Sequence, residues 1–217
     1  MKNKIIFAVA SLAILAFAVP AVAKIDLNAL SGKIVLRVEK NGEAWYLPPT
    51  NKGKLAEFLG RPEAAFLVMR NYGVGITNKD LTKIQVGLVP KLNGYDYDND
   101  GLTDAMEQTF GTNKFLKDTD ADGYNDKEEI TTGHSPLNAD KNLIIDPEFA
   151  KIHKGKIFLQ VESLGEAWYV NPTDGKRYFL GTPADALSVM SQLGLGINET
   201  NFNEIPVACA GIICFDK

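Results

Sequence analysis

The sequence has 217 residues, of which 45% are hydrophobic and 23% are charged, and its formal net charge is −4. This composition is typical of a soluble globular protein, and the length has room for one to three small domains. The basic residues form no cluster, which argues against nucleic acid or an anionic lipid surface as a partner.

The first residues have the pattern of a secretory signal peptide. Lys2 and Lys4 precede an apolar run over residues 5–18, and Ala21-Val22-Ala23 matches an A-x-A cleavage site. The apolar run is shorter than the ~20 residues that span a bilayer, so a retained anchor is the weaker alternative. We therefore predict a signal peptide over residues 1–23. The mature protein is then secreted, or lies at the cell surface or in the periplasm, with no membrane span.

The negative charge of the mature chain is local. Cleavage after Ala23 removes two lysines and no acidic residue, so the net charge changes from −4 to −6. Residues 91–141 alone contain twelve acidic residues and five lysines, a balance of −7. The rest of the mature chain is close to neutral.

An internal repeat flanks this acidic stretch. Residues 32–46 align with residues 155–169 at an offset of 123, and residues 60–76 align with residues 181–197 at an offset of 121. Both copies share a Gly-Lys-Ile start, a Gly-Glu-Ala-Trp-Tyr run and a Gly-x-Pro step. Two related structural units are therefore expected, one on each side of the acidic stretch.

In each copy the pattern predicts three short antiparallel strands. Ile34, Leu36 and Val38 recur at every second position, which suggests a first strand with one buried face and one wetter face. Asn41-Gly42 is a hairpin turn signal that leads into the second strand. In the second copy, Asp174-Gly175 marks a further turn before a third strand.

One helix is expected to follow the strands. Pro62 and Pro183 suit the first turn of a helix, and Gly73 and Gly194 are expected to cap its end. Units of roughly 55 residues are marginal alone, so the two copies are expected to pack on each other.

These patterns together predict the fold class and the division of the chain. The fold class is α+β, with two homologous small domains, each a β-hairpin or sheet plus a helix, flanking a loop-rich segment. The predicted boundaries are residues 24–90 for the first repeat domain, 91–145 for the loop-rich segment and 146–217 for the second repeat domain.

The acidic stretch contains two copies of a twelve-position calcium loop of the EF-hand type. Oxygen donors stand at positions 1, 3, 5 and 9, a glycine at 6, a backbone carbonyl is expected at 7, and a glutamate stands at 12. Calcium takes six to eight oxygen ligands, and alternate residues of a tightly turned loop converge on one point. The predicted ligands are Asp96, Asp98, Asp100, Leu102, Asp104 and Glu107 in the first loop, and Asp118, Asp120, Asp122, Tyr124, Asp126 and Glu129 in the second.

The alternative interpretation is a solvated acidic loop. The loop pattern occurs twice at an offset of 22 residues, with its glycine and glutamate in register, and this argues against a solvated loop. Without a cation these carboxylates would also repel one another. We therefore predict two bound Ca²⁺ ions. Short exiting helices are expected over residues 104–110 and 126–132, ended by Gly111 and Gly133, with no entering helix.

The run from Gly111 to Glu129 resembles bacterial thrombospondin type 3 repeats. A third, truncated unit is suggested because Asp96, Asp118 and Asp140 are spaced by 22 residues. The resemblance covers about 45 residues and implies extracellular calcium binding and a segment ordered by metal rather than by a large core. Dockerins are similar, but their loops lie farther apart and their recognition positions often carry small hydroxyl residues, unlike the two positions after each ninth ligand here. The flanking copies resemble short aromatic repeats of bacterial surface proteins, which assigns no activity.

The repeated aromatic pairs have two interpretations. Trp45 and Trp168 are expected in the core of each unit, whereas Tyr46 and Tyr169 are equally consistent with a carbohydrate or protein contact. The repeated Glu43 and Glu166 are expected to be solvated hairpin residues.

No catalytic constellation is recognisable. His134 and His153 lack a zinc-type pattern, no Cys–His pair suggests a nucleophile, and calcium spacing accounts for the acids. Cys209 and Cys214 are expected to close a small disulfide loop, because two cysteines alone make an incomplete metal site and a redox pair would be C-x-x-C.

We therefore predict a non-enzymatic, exported calcium-binding protein. Its first candidate role is a binding or adhesion module for an extracellular glycan or protein. The alternative is a structural subunit of a cell-surface assembly with self-association, or a non-catalytic part of an envelope enzyme system.

Overall fold

The computed structural model describes residues 25–49 and 55–208. The predicted signal peptide and both cysteines, Cys209 and Cys214, lie outside the described residues. Among the described helices, none is long and apolar enough to cross a membrane.

The described chain contains eight strands and seven helices, which confirms the α+β class. In chain order they are β1 (Ile34–Arg37), β2 (Glu43–Tyr46), β3 (Glu57–Phe58), α1 (Pro62–Tyr72), β4 (Val74–Ile76), α2 (Asn78–Leu81), α3 (Asp104–Phe110), α4 (Asp126–Thr132), α5 (Pro147–Ile152), β5 (Ile157–Gln160), β6 (Ala167–Val170), β7 (Arg177–Phe179), α6 (Pro183–Leu193), β8 (Leu195–Ile197) and α7 (Glu199–Phe202).

The two repeat copies exchange a strand. One sheet has the order β3-β2-β1-β8 and the other has the order β4-β5-β6-β7. Three strands of each sheet are antiparallel and come from one copy, as the pattern predicts, but the fourth is parallel and comes from the other copy. Leu36 is thus paired with Gly196, and Leu159 with Gly75. Each sheet therefore needs residues from both sides of the acidic stretch, and the division into separate domains stays a prediction.

The copies meet at two glycines and two tyrosines in reciprocal contact. The Tyr46 hydroxyl donates to the Gly155 carbonyl at 2.6 Å, and the Tyr169 hydroxyl donates to the Gly32 carbonyl at 2.8 Å. The two tyrosine rings lie edge to face with centroids 6.4 Å apart. A Cβ atom on Gly32 would lie 2.5 Å from the Gly155 Cα, and both glycines have positive φ. Only glycine fits both the conformation and the space.

The end of each long helix is shaped by the exchanged strand. Gly73 and Gly194 cap the ends of α1 and α6, as predicted, with φ of −66° rather than the left-handed conformation common at this position. A Cβ on Gly73 would lie 2.8 Å from the Leu159 side chain, and one on Gly194 would lie 2.6 Å from Leu36. These glycines are therefore needed for close packing against the opposite copy.

Both faces of each sheet are covered, which corrects the prediction of one wetter face. Val35 and Arg37 are buried, whereas Val38, assigned to the buried face, lies beyond β1 and is 58% exposed. A shared core lies between the sheets and contains Tyr46 and Tyr169. The outer face of the first sheet packs on α7 and residues 25–30, and that of the second sheet packs on α2, α5 and the acidic segment.

The glycine contact gives a stability prediction with an internal control. Gly155→Ala and Gly165→Ala place a methyl group at similar positive φ, +80° and +86°, but only Gly155 has backbone within 2.4 Å. The left-handed conformation costs roughly 1–2 kcal/mol in both variants. We expect Gly155→Ala to lower the free energy of unfolding by about 2 kcal/mol more than Gly165→Ala does, because the copies must move apart. Chemical denaturation with calcium present measures this difference. Equal losses in the two variants would contradict the close approach of the copies.

Candidate metal centre

Two clusters of three carboxylates occupy the acidic segment. In each cluster, one carboxylate oxygen from every member lies within 4.8 Å of one from each of the others. The clusters are Asp96, Asp98 and Asp100 in the first loop and Asp118, Asp120 and Asp122 in the second. These are positions 1, 3 and 5 of the predicted loops, so the structure brings these six predicted ligands together in two groups.

Both loops fold through hydrogen bonds that aim the carboxylates inward. The Gly101 N–H donates to Asp96 Oδ2 at 3.0 Å, and the Gly123 N–H donates to Asp118 Oδ2 at 2.9 Å. The φ angles of these glycines are +96° and +98°, a conformation that residues with a side chain rarely adopt. Asp100 Oδ1 accepts a further bond from the Leu102 N–H at 2.7 Å. In the first cluster one oxygen of each aspartate therefore serves the loop and the other is free.

Eight carboxylate oxygens of the two loops are buried and have no hydrogen-bond partner. In the first loop these atoms are Asp96 Oδ1, Asp98 Oδ2, Asp100 Oδ2 and both carboxylate oxygens of Glu107; in the second they are both oxygens of Asp120 and Oε2 of Glu129. Burying carboxylate oxygens without donors is costly, and a hard dication removes that cost. Because every one of these atoms belongs to a predicted ligand residue, the donor set fits calcium.

The two glutamates at position 12 are part of the helices that follow the loops. Glu107 lies in α3 and Glu129 in α4, whose bounds are those predicted for the exiting helices. Gly111 and Gly133 end these helices with φ of 81° and 90°, as predicted. Both glutamates are buried, and a short rigid helix therefore carries each of them to its loop.

The aspartates at position 9 close the loops. Asp104 Oδ1 accepts a hydrogen bond from the Tyr97 N–H at 3.0 Å, and Asp126 Oδ1 accepts one from the Thr119 N–H at 2.8 Å. Asp104 also forms an ion pair with Lys114 at 3.1 Å. These two carboxylates lie outside the clusters of three, and their role as direct or indirect ligands stays a prediction.

The residues at position 7 differ in their surroundings. The Leu102 side chain is fully buried in a core cluster together with Met106 and Ile130, whereas Tyr124 is 58% exposed. The first loop is thus anchored in the protein interior by the residue whose carbonyl is the predicted ligand. The ligand role of both carbonyls stays a prediction.

Three contacts that the sequence did not suggest anchor this segment to the folded body. Thr103, the residue before α3, donates from Oγ1 to Asp185 Oδ1 of α6 at 3.2 Å. The Asn93 N–H donates to Ser188 Oγ at 3.0 Å, and Gln85 Nε2 donates to the Ile130 carbonyl at 2.9 Å. The partners in each contact are remote in sequence, so no local sequence pattern predicts these hydrogen bonds.

Burial and mutual repulsion raise the pKa of the loop carboxylates. Burial raises the pKa of Glu107 to about 8, with further contributions from Asp98 and Asp100. Burial likewise raises the pKa of Glu129 to about 7, with contributions from Asp120 and Asp122. The metal-free sites therefore hold protons near neutral pH, and a cation must displace them.

The other singled-out residues lie away from these clusters. Trp45 and Trp168 are buried, as predicted, and Tyr46 and Tyr169 are buried between the sheets, so none of the four forms an exposed stacking platform. The His134 ring nitrogen lies 3.0 Å from the Thr132 hydroxyl. Of the predicted third unit, the Asp140 N–H donates to the Asn138 side chain, and no third carboxylate cluster occurs among the described residues.

Calcium binding is expected to release protons in a pH-dependent manner. At pH 6, below the metal-free pKa of Glu107 at about 8, binding should release about one proton per site; well above pH 8 the release should vanish. Without calcium, a carboxyl group with a raised pKa stabilises the fold at low pH, and this contribution is lost as pH rises through 4.5 to about 8. Calorimetry in buffers of different ionisation enthalpy measures the release. A heat independent of buffer at pH 6 would contradict the raised pKa values.

Comparison with known protein families agrees with this geometry. The family model described as bacterial TSP3 repeat matches residues 96–113 and 118–139. Each matched segment contains one carboxylate cluster and its following glutamate. No curated protein and no solved structure matches the chain. The acidic segment between the two repeat copies therefore contains two bacterial TSP3 repeats, a type of repeat that binds calcium.

Proposed function

We propose that this protein is an exported, non-enzymatic calcium-binding protein that acts as a binding or adhesion module outside the cell. The observation that carries the proposal is the pair of carboxylate clusters with buried oxygens that lack any other partner. Each cluster binds one Ca²⁺ ion, with the glutamate at position 12 completing the ligand set. The TSP3 match supports an extracellular or surface location, where calcium is abundant.

Calcium in this proposal stabilises the body of the protein as well as its loops. Leu102 and Met106 alternate in sequence with Asp104 and Glu107, the last predicted ligands of the first loop. Both pack in the same core cluster as Trp168 of the second sheet. Thr103 binds Asp185 of α6. Because an ion that binds only the folded loop stabilises the fold by mass action, its binding free energy adds to the stability of the second sheet.

A second candidate function is a structural subunit of a surface assembly. The exchanged strands support it, because β4 and β8 pair with the opposite copy through only three residues each. The same pairings made between two molecules would give a domain-swapped dimer. Sedimentation that changes with protein concentration and calcium would favour this candidate over a monomeric binding module.

The test of the calcium function is a titration of the mature chain from Lys24 with single-loop variants. We expect two bound ions for the wild type and a higher Tm in calcium than in chelator. Glu107→Gln and Glu129→Gln remove one ligand oxygen and one charge from one loop each. Each variant should weaken one site by at least about tenfold and leave the other site occupied.

Glu148→Gln is the matched control, because Glu148 is an exposed helix residue whose ion pair with Lys151 at 3.2 Å lies outside both loops. This variant should bind calcium as the wild type does. Unchanged stoichiometry and affinity in both loop variants would contradict the ligand assignment. Absence of any binding heat or Tm shift in the wild type would indicate that the segment is an acidic spacer that does not bind calcium.

A further inference from the structure

A groove on the second sheet's side of the molecule is lined by four parts of the chain. Its volume is about 550 Å³. Its walls are α1 of the first copy, α3 of the calcium segment, and, from the second copy, the β5–β6 hairpin and residues 179–182. Apolar side chains dominate the lining, among them Phe66, Met69, Leu159 and Leu164.

One carboxylate in this lining lacks a partner. Glu166 Oε1 accepts a hydrogen bond from the Ser163 hydroxyl at 3.0 Å, whereas Glu166 Oε2 is buried and has no hydrogen-bond partner. A carboxylate oxygen shielded from water and left without a donor is unfavourable. Unlike the similar oxygens of the calcium loops, this one lies in an apolar wall with no second carboxylate recorded in the groove lining.

The first repeat copy has a cation beside the equivalent glutamate. Glu43 is the counterpart of Glu166, and Arg37, which makes two hydrogen bonds to Glu199, also donates to Glu43 Oε2 at 3.0 Å. The second copy has Gln160 where the first has Arg37. Gln160 is already engaged, since it accepts from Trp168 Nε1 at 3.0 Å and donates to Asn78 Oδ1 at 2.8 Å. The second copy thus has the glutamate but a neutral residue in place of the arginine.

We propose that this groove binds a peptide segment in which an arginine lies next to an apolar side chain. The ligand's guanidinium enters from the groove and donates to the Glu166 carboxylate. Its aliphatic stem packs on Leu164, and the neighbouring apolar side chain covers Phe66. Phe66 is 61% exposed and Leu164 is 81% exposed, so a ligand there removes apolar surface from water.

Arg70 sets a limit on the charge of the ligand. This residue of α1 also lines the groove, and it would repel a segment with several adjacent cations. A segment with one arginine between apolar residues therefore fits better than a polybasic one. The same residue distinguishes a cationic ligand from an anionic one, because the two classes respond in opposite ways to its removal.

Calcium and the groove are joined through α3. Ala105, Gln108 and Thr109 of this helix form one wall, and Glu107, the last predicted ligand of the first loop, lies between them in sequence. A calcium ion held by Glu107 fixes the helix that forms the wall. Ligand binding and calcium binding should therefore strengthen each other.

This inference deepens the proposed binding function and rests on it, since the peptide is the partner class of the proposed binding module. The test titrates the isotope-labelled mature protein, in saturating calcium, with acetyl-Leu-Arg-Phe-amide and with acetyl-Leu-Gln-Phe-amide, while NMR shifts report the contact surface. We expect weak binding of the arginine peptide, with shifts confined to the groove residues. The glutamine peptide should bind about tenfold more weakly.

Glu166→Gln should lower the affinity for the arginine peptide about tenfold, whereas Glu43→Gln should leave it unchanged, because Arg37 already occupies that carboxylate. Arg70→Gln should leave or increase the affinity. Equal affinity for both peptides, or shifts outside the groove, would overturn the proposal. So would weaker binding of the arginine peptide in Arg70→Gln together with tighter binding in Glu166→Gln, because a cationic ligand must respond in the opposite way to both changes.

Calcium stoichiometry and Tm measured on the same samples separate the two proposals. Intact calcium binding without peptide binding overturns the groove alone. Loss of calcium binding in the wild type overturns the proposed function. The comparison of the two peptides on the wild-type protein needs no variant, so the outcome does not depend on how Glu166→Gln folds.

Discussion

The two sheets of this protein are joined where Tyr46 and Tyr169 each donate a hydrogen bond to a glycine carbonyl of the opposite copy. The bonds can form only because Gly32 and Gly155 let the two backbones approach to a distance at which a Cβ would clash. Two buried hydroxyl groups are satisfied there without water. The shared core between the sheets, the exchanged strands and the placement of both long helices all depend on this approach.

The calcium segment contributes a different kind of order. Its interior consists of carboxylates that repel one another when ionised, so a bound cation favours its shape. Yet it is attached to the body by ordinary packing through Leu102, Met106 and Ile130. The outer face of the second sheet is covered by α2 and α5, as that of the first is covered by α7 and residues 25–30. The acidic segment is an additional layer on the second sheet, packed against the same cluster.

Local patterns in the sequence predicted the local structure well. The bounds of α3 and α4 follow from loop spacing and terminal glycines, and the Asn41-Gly42 turn from its dipeptide, because short-range sterics decide these features. The strand exchange was not predictable, because nothing in the sequence of β1 indicates whether the strand that pairs parallel to it is near or remote in the chain. The burial of Val35 and Arg37 was missed for the same reason: a second covering layer comes from distant residues. Likewise Glu166 was predicted to be a solvated residue, because the groove beside it is assembled from four segments of the chain.

The exchange of strands also fixes the order in which the molecule can be completed. Val35 of β1 pairs with Leu195 of β8, and these residues are separated by most of the chain. Pairings of such high sequence separation form late, because loop-closure entropy is lost before they contribute any stabilisation. A chain that emerges from its N-terminus onward thus cannot finish its first sheet until its last strand has emerged. For an exported protein, the final fold and its calcium ions would then come together on the same side of the membrane.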